Sequence, residues 1–380
     1  MKSTTHHSLP LTMMVLAVLV FSASFAVAGS FTVTGHMQFA RRRHTATRLA
    51  SGKVLVAGGA NSTGTLAAAE LFTPASGSFA RTGNMKIARN GHTATLLANG
   101  KVLIAGGTNA TGTLASSELF NPATGTFTAT GNMNVARVGH TATLLGNGKV
   151  LVAGGGTAKA ELYNPSTGLF TPTKNMRASR MGHTATLLKN GKVLLSGGTD
   201  TGTALGDLFD PATSTFSWTA TGGRTELWQA ATLLQDGRAF LVGGELTTLI
   251  SGGSTRCCIF GPVSTAFAVG FTATNNSYFG IGDMSTSRAF HSATRLGNGQ
   301  VLIAGGATIA TFAYPSYHTT VTPLATAELF DPTTLDFSNI GNMTTSRAWH
   351  TATMLGNGNV LVVGGVNVNG TVLSSAEQYH

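Results

Sequence analysis

ARNGHTATLLANGKVLIAGG, residues 88–107, is the stretch on which the fold turns. It opens with alternating polar and apolar positions (92–97), the period of a half-buried strand. Asn99-Gly100 then supplies the two left-handed positions of a tight two-residue hairpin. KVLIA (101–105) is a continuous apolar run, as expected of a strand covered on both faces. Gly106-Gly107 ends it, where the missing side chains permit unusual torsions and a close neighbour.

The same stretch recurs with small edits at 40–59, 136–155, 179–198, 287–306 and 346–365. A worn copy, ELWQAATLLQDGRAFLVGG, runs from 226 to 244. Methionines 37, 85, 133, 176, 284 and 343 mark repeat starts, and the long gap before Met284 holds the worn copy. That makes seven units with a period in the range of propeller blades. After each glycine pair come a variable loop, a third strand such as SELF (117–120), a turn such as NPATG (121–125), and a fourth strand (126–130). No segment has helical periodicity.

Charged residues make up only 10% of the chain, while 42% are hydrophobic and glycine numbers 49. Such a chain can bury a large core, which excludes disorder. Lys2, His6 and His7 precede an apolar run at 11–25 and the small-x-small site Ala26-Val27-Ala28, so 1–28 reads as an export signal and 29–380 as one domain. The protein is therefore expected to be secreted or periplasmic, meeting a membrane only if that signal stays uncleaved. Cys257 and Cys258 are adjacent; a bridge between them would be strained and close no useful loop, so two small buried thiols are expected.

The glycine doublet, the AELFNP strand and turn, and the GNM..AR..H link together resemble the kelch family of β-propellers, in the bacterial form related to the propeller of galactose oxidase. The resemblance runs from residue 29 to 380. It implies an all-β, seven-bladed kelch-type propeller with four antiparallel strands per blade around a central channel. The chain stops at AEQYH (376–380), a third strand, and GSFTVTG (29–35) is a spare fourth strand. The N-terminal strand is thus expected to complete the last blade and hide an unpaired edge.

Three polar positions recur inside the apolar framework. An arginine precedes a histidine by three residues, as in Arg89/His92 and Arg137/His140, and an acid begins the third strand, as in Glu118 and Glu161. The worn repeat changes the whole set, with Glu226, Gln229 and Cys258 in those places. Joint loss points to one structural network, in which arginine and carboxylate pair between strands or blades and histidine satisfies nearby backbone groups. One histidine per blade spreads six of them around a ring, whereas metal ligands must converge at about 2 Å from the ion. No metal and no cofactor is expected.

The resemblance also raises a copper-radical oxidase, which needs two tyrosines, two histidines and a cysteine linked to one tyrosine. Tyr163, Tyr278 and Tyr379 fall on strand positions, leaving Tyr314 and Tyr317 near His318 in one loop and no second histidine marked.

Function is expected where the repeats stop agreeing. Blade six carries a long loop between its second and third strands (307–325), with Phe312, Tyr314, Tyr317 and His318, and aromatic loop residues on a rigid scaffold suit sugar rings or peptides. Arg256 is a further candidate. An insertion at 263–275 in blade five is assigned to the third-to-fourth turn, on the opposite face. Net charge is +10, and Lys53, Lys101, Lys149, Lys192 and Arg238 follow the first hairpin turns as an arc suited to an anionic polysaccharide. No nucleic-acid motif is present. The expectation is a binding module for a cell-surface glycan or protein. The alternative is a kelch-type enzyme, a sugar epimerase or copper-radical oxidase, with its site near the channel.

Overall fold

The computed structural model describes residues 29–199, 206–220, 223, 225–251, 258–312 and 318–380, with the backbone alone at 247–251, 258–262, 312 and 318. The readings placed on segment 1–28, on Arg256, Tyr314, Tyr317 and Cys257, and on the side chains of Phe312, His318 and Cys258 lie outside the described residues.

Seven four-stranded antiparallel sheets make up the fold. Blade two shows the plan: Thr93–Leu96, Val102–Ala105, Ser117–Asn121 and Thr126–Ala129, each strand paired with the next. The second strand is apolar throughout because both of its faces are covered. Val102, Leu103, Ile104 and Ala105 are all buried. The core lies between blades. Leu151 and Ala153 of blade three, for example, meet Val193, Leu195 and Phe209 of blade four. Each blade also pairs an aromatic of strand three with one of strand four, as in Phe120–Phe127 at 4.8 Å and Phe271–Tyr278 at 5.0 Å. Such a pair contributes about 0.5–1.5 kcal/mol beyond its area.

Closure follows the expected route. Phe31–Val33 pairs with Ala376–Tyr379 in the register Phe31↔Tyr379, Thr32↔Gln378, Val33↔Glu377. Blades seven and one then share a core in which Leu361 and Val363 meet Val54, Val56 and Phe72.

The glycine doublet sets how closely blades approach. A Cβ on Gly106 (φ 64°) would stand 2.7 Å from the Arg137 carbonyl oxygen and 2.7 Å from the His140 ring of the next blade. The second glycine, Gly107, donates its N–H to that same carbonyl at 2.8 Å. The stitch repeats at every blade boundary, and Gly365 to Arg41 (2.9 Å) closes the circle.

Two expectations need correction. The first hairpin is not a two-residue turn: only Gly100 is left-handed (φ 79°), and its N–H bonds the Leu97 carbonyl at 2.9 Å. Asn99 instead accepts the Lys101 N–H on its side-chain oxygen at 3.1 Å. Blade five also differs from its reading. Its third strand is Phe267–Thr272, and the insertion is a hairpin of Glu245–Ser251 with Cys258–Ser264 between strands two and three. It therefore leaves from the same face as the blade-six hairpin, Ala307–Phe312 with His318–Pro323. The two are joined by the Ile309 N–H, which donates to Ser264 Oγ at 3.0 Å.

A candidate site at the mouth of the channel

Six of the seven blades begin with a link that carries the Arg-x-x-His run, and its arginine is fully buried. Arg137 donates through Nη1 to the carbonyls of Gly154 (2.5 Å) and Lys159 (2.8 Å) and through Nη2 to Glu161 (2.8 Å). The other oxygen of Glu161 accepts the Asn134 N–H at 2.7 Å. Arg89 makes the same set with Gly106, Ser116 and Glu118. The pairs are thus made within a blade, tying the link to the glycine corner and to the start of strand three. In blade five Leu241 pairs with Val269 where Ile104 pairs with Glu118, so Val269, and not Cys258, holds the acid's place.

Besides contacts to backbone carbonyls, the histidines bond across blades through Nε2. His92 Nε2 bonds Thr45 Oγ1 of the preceding blade at 3.0 Å, His140 bonds Thr93 at 3.1 Å, and His183 bonds Thr141 at 2.9 Å. His350 meets Ser292 (3.1 Å) and His44 meets Thr351 (3.0 Å). Imidazole and hydroxyl therefore strut one blade to the next. In blade five Gln229 replaces the histidine and donates to the Ser196 carbonyl at 2.9 Å. The residue after it is Ala230, so the next imidazole, His291, has no hydroxyl to meet. Neither of its ring nitrogens makes a well-formed hydrogen bond. Burial and the Arg288 charge hold His291 down to about 3, with weak opposition from the Val242 and Arg288 carbonyls. His92, His140, His183 and His350 are lowered to about 3 by burial first and their own arginines second. All are neutral at ordinary pH, able to give or take a hydrogen bond without carrying charge.

The residue just before each histidine lies at the channel itself. At all seven places the backbone is left-handed: Arg43, Gly91, Gly139, Gly182, Trp228, Phe290 and Trp349, with φ from 54° to 66°. At six of the seven the N–H bonds the previous blade. Trp228 donates to Gly182 (2.7 Å), Phe290 to Trp228 (3.3 Å), Trp349 to Phe290 (3.3 Å), Arg43 to Trp349 (3.2 Å), and Gly91 to Arg43 (3.0 Å). A necklace of peptide groups thus rims the channel. Glycine suits every position, and a side chain there costs roughly 1–2 kcal/mol. Four blades nonetheless carry large ones.

Those four side chains form a crescent. Phe290 lies 5.9 Å from Trp228 and 4.6 Å from Trp349, and the Arg43 guanidinium sits 5.6 Å from the Trp349 ring. Trp228 reaches over Gly182, whose Cβ would stand 2.9 Å from the indole. Between the crescent and the glycine half lies a cavity of about 320 Å³, lined also by Asn90, Val138 and the histidine rings. This is the size of a small-molecule site. The sequence carries the signal, a glycine before the histidine in three repeats, bulk before it in three more, and Trp228 before Gln229 in the seventh. His92 and His140 line this cavity, whereas Arg89, Arg137, Glu118 and Glu161 do not. Glu245 begins the blade-five hairpin opposite Leu227, and burial pushes its carboxyl up, yet it does not line the cavity either. The basic arc is on the far face, where Lys192 pairs with Asp210 (3.0 Å) and Arg238 with Asp236 (2.6 Å).

No protein-family model matches the chain, and no curated protein matches it in sequence. Among solved structures it is similar to "Novel fungal alcohol oxidase with catalytic diversity among the AA5 family, in complex with copper", with a TM-score of 0.72 and 18% identity, over 93% of this chain and 76% of that one. The described residues do not fit copper. Among the described residues no three His, Cys, Asp or Glu side chains converge on a metal position. Five of the six ring imidazoles already have Nε2 on a hydroxyl. Tyr163 and Tyr278 bond Thr130 (2.9 Å) and Ser196 (3.2 Å) away from the cavity. At 18% identity the likeness is one of fold. A solved structure that shares this fold is an alcohol oxidase, which overturns the expectation of a binding module and leaves its enzyme alternative as a proposal.

Proposed function

We propose that the chain is a kelch-type enzyme that isomerises a sugar at the mouth of its channel. One observation carries the reading: the bare imidazole of His291 lies in the wall of a small cavity, beside aromatic rings held there against backbone strain. Aromatic faces suit the CH faces of a sugar, and a neutral imidazole suits one of its hydroxyls. Of the two reactions open to such an enzyme, epimerisation needs only grip and proton movement. The copper-radical route lacks a converging donor set among the described residues. Segment 1–28 is proposed to direct export, so the sugar would be met outside the cytoplasm; N-terminal sequencing of the exported protein checks this.

The test is NMR of aldoses and uronates incubated with the protein in D2O, alongside a peroxide assay on copper-treated protein with primary alcohols. New epimers or solvent deuterium at a sugar carbon, lost on Phe290→Gly, are expected. Peroxide release in proportion to bound copper would overturn the reading in favour of the oxidase. Absence of turnover in both assays would overturn the enzyme altogether.

A further inference from the structure

Whatever occupies the mouth meets hydrogen-bond donors and no opposing carboxylate. The cavity lining contains no Asp or Glu. Arg43 stands at its rim, and among the described residues its charge has an aromatic neighbour, Trp349, but no ion pair. The arginines behind the wall cannot supply the same service, since Arg41 and Arg347 are each committed to a buried glutamate, Glu70 and Glu377. A guanidinium whose neighbour is an aromatic ring keeps its N–H groups for a planar, two-oxygen acceptor.

We propose that the substrate is an acidic sugar of the uronate class. Its carboxylate is accepted at the rim by the Arg43 guanidinium, and its ring lies along the face of the aromatic crescent. This rests on the reading of the mouth as the active site and adds the charge of what enters it. Arg43 acts here as a specificity residue and takes no part in bond making.

The experiment is calorimetric titration of the full chain with galacturonate and glucuronate, and with galactose and glucose as neutral counterparts. Uronates should bind at least about tenfold tighter than the neutral sugars, the usual scale for a charge-assisted hydrogen bond. Arg43→Gly should erase that preference while the protein melts no lower than the parent, because glycine suits a φ of 54°. Arg43→Lys should keep part of the preference. Arg42→Ala, at an exposed neighbour outside the cavity, should leave it within about twofold. Equal binding of uronates and neutral sugars that Phe290→Gly abolishes would overturn the carboxylate assignment and leave the mouth as the site. Binding of neither class would overturn both. A uronate preference that survives Arg43→Gly would overturn the role of Arg43.

Discussion

Blade five and its six companions reach the same fold with different side chains at its most buried polar positions. Six blades hold an arginine, an acid and a histidine in a fixed arrangement. Blade five has Glu226, Val269 and Gln229 instead. The backbone barely registers the change. Gly198 still donates to the carbonyl of residue 226 at 2.8 Å, and Leu241 pairs with Val269 as its counterparts pair with acids. The difference teaches that ring closure rests on peptide stitches and apolar faces. The buried ion pair is one of two workable fillings, consistent with the small net value of such pairs against apolar packing. It also shows where departures gather, since blade five brings Trp228 to the mouth, the missing hydroxyl at Ala230 and the long hairpin at Glu245–Ser251.

The largest expected break of this comparison comes from acid. The six histidines have folded-state values far below 6.5, so the folded protein binds fewer protons than the unfolded chain. Their contribution is complete above about pH 6.5 and is lost as pH falls, toward about 3 for His92, His140, His183, His291 and His350. Each loses up to about 1.4 kcal/mol per pH unit in that window, with less from the more exposed His291 and His350. Urea melts between pH 7 and 5.5 should thus show a loss on the order of 5 kcal/mol. His92→Gln, which copies Gln229, should flatten that slope by one site's share.

Next comes Arg137→Ala, which leaves Glu161 buried without its partner. It should cost about 3–5 kcal/mol in thermal or urea unfolding. A change near zero would mean that the network is as dispensable in blade three as in blade five. Phe290→Gly is smaller, because relief of the left-handed backbone offsets lost stacking. Unfolding should move by no more than about 1 kcal/mol while turnover or sugar binding disappears. Smallest is Ala230→Thr, which returns the missing hydroxyl to His291. A gain of about 0.5 kcal/mol, the low end for one hydrogen bond, is expected, together with weaker substrate handling as the imidazole becomes engaged. Loss of stability instead would show that blade five has no room for the strut.

Much of the architecture was legible because its causes are local and repeated. An apolar run bounded by Asn-Gly and Gly-Gly can only be an inner strand, and seven copies leave little choice of fold. The borrowed strand at Phe31–Val33 was legible because its pattern matches the other fourth strands. The blade-five insertion was misplaced because the glutamate expected at the start of strand three is absent, which leaves that strand without its marker. The site was hardly legible at all. Arg43, Trp228, Phe290 and Trp349 are scattered over three hundred residues, and the conspicuous aromatic loop at 312–318 drew the reading elsewhere.

Sequence alone thus determined the number of blades, the strand order and the seam between the termini, since each depends on a period and on glycines whose need is set within one repeat. Only the tertiary structure decided that the residue before each histidine rims the channel and that four such side chains stack into one wall. It also decided that a hydroxyl of one blade caps the imidazole of the next, except at Ala230. Those relations join residues in neighbouring blades, and the circle that makes them neighbours exists only once the ring has closed.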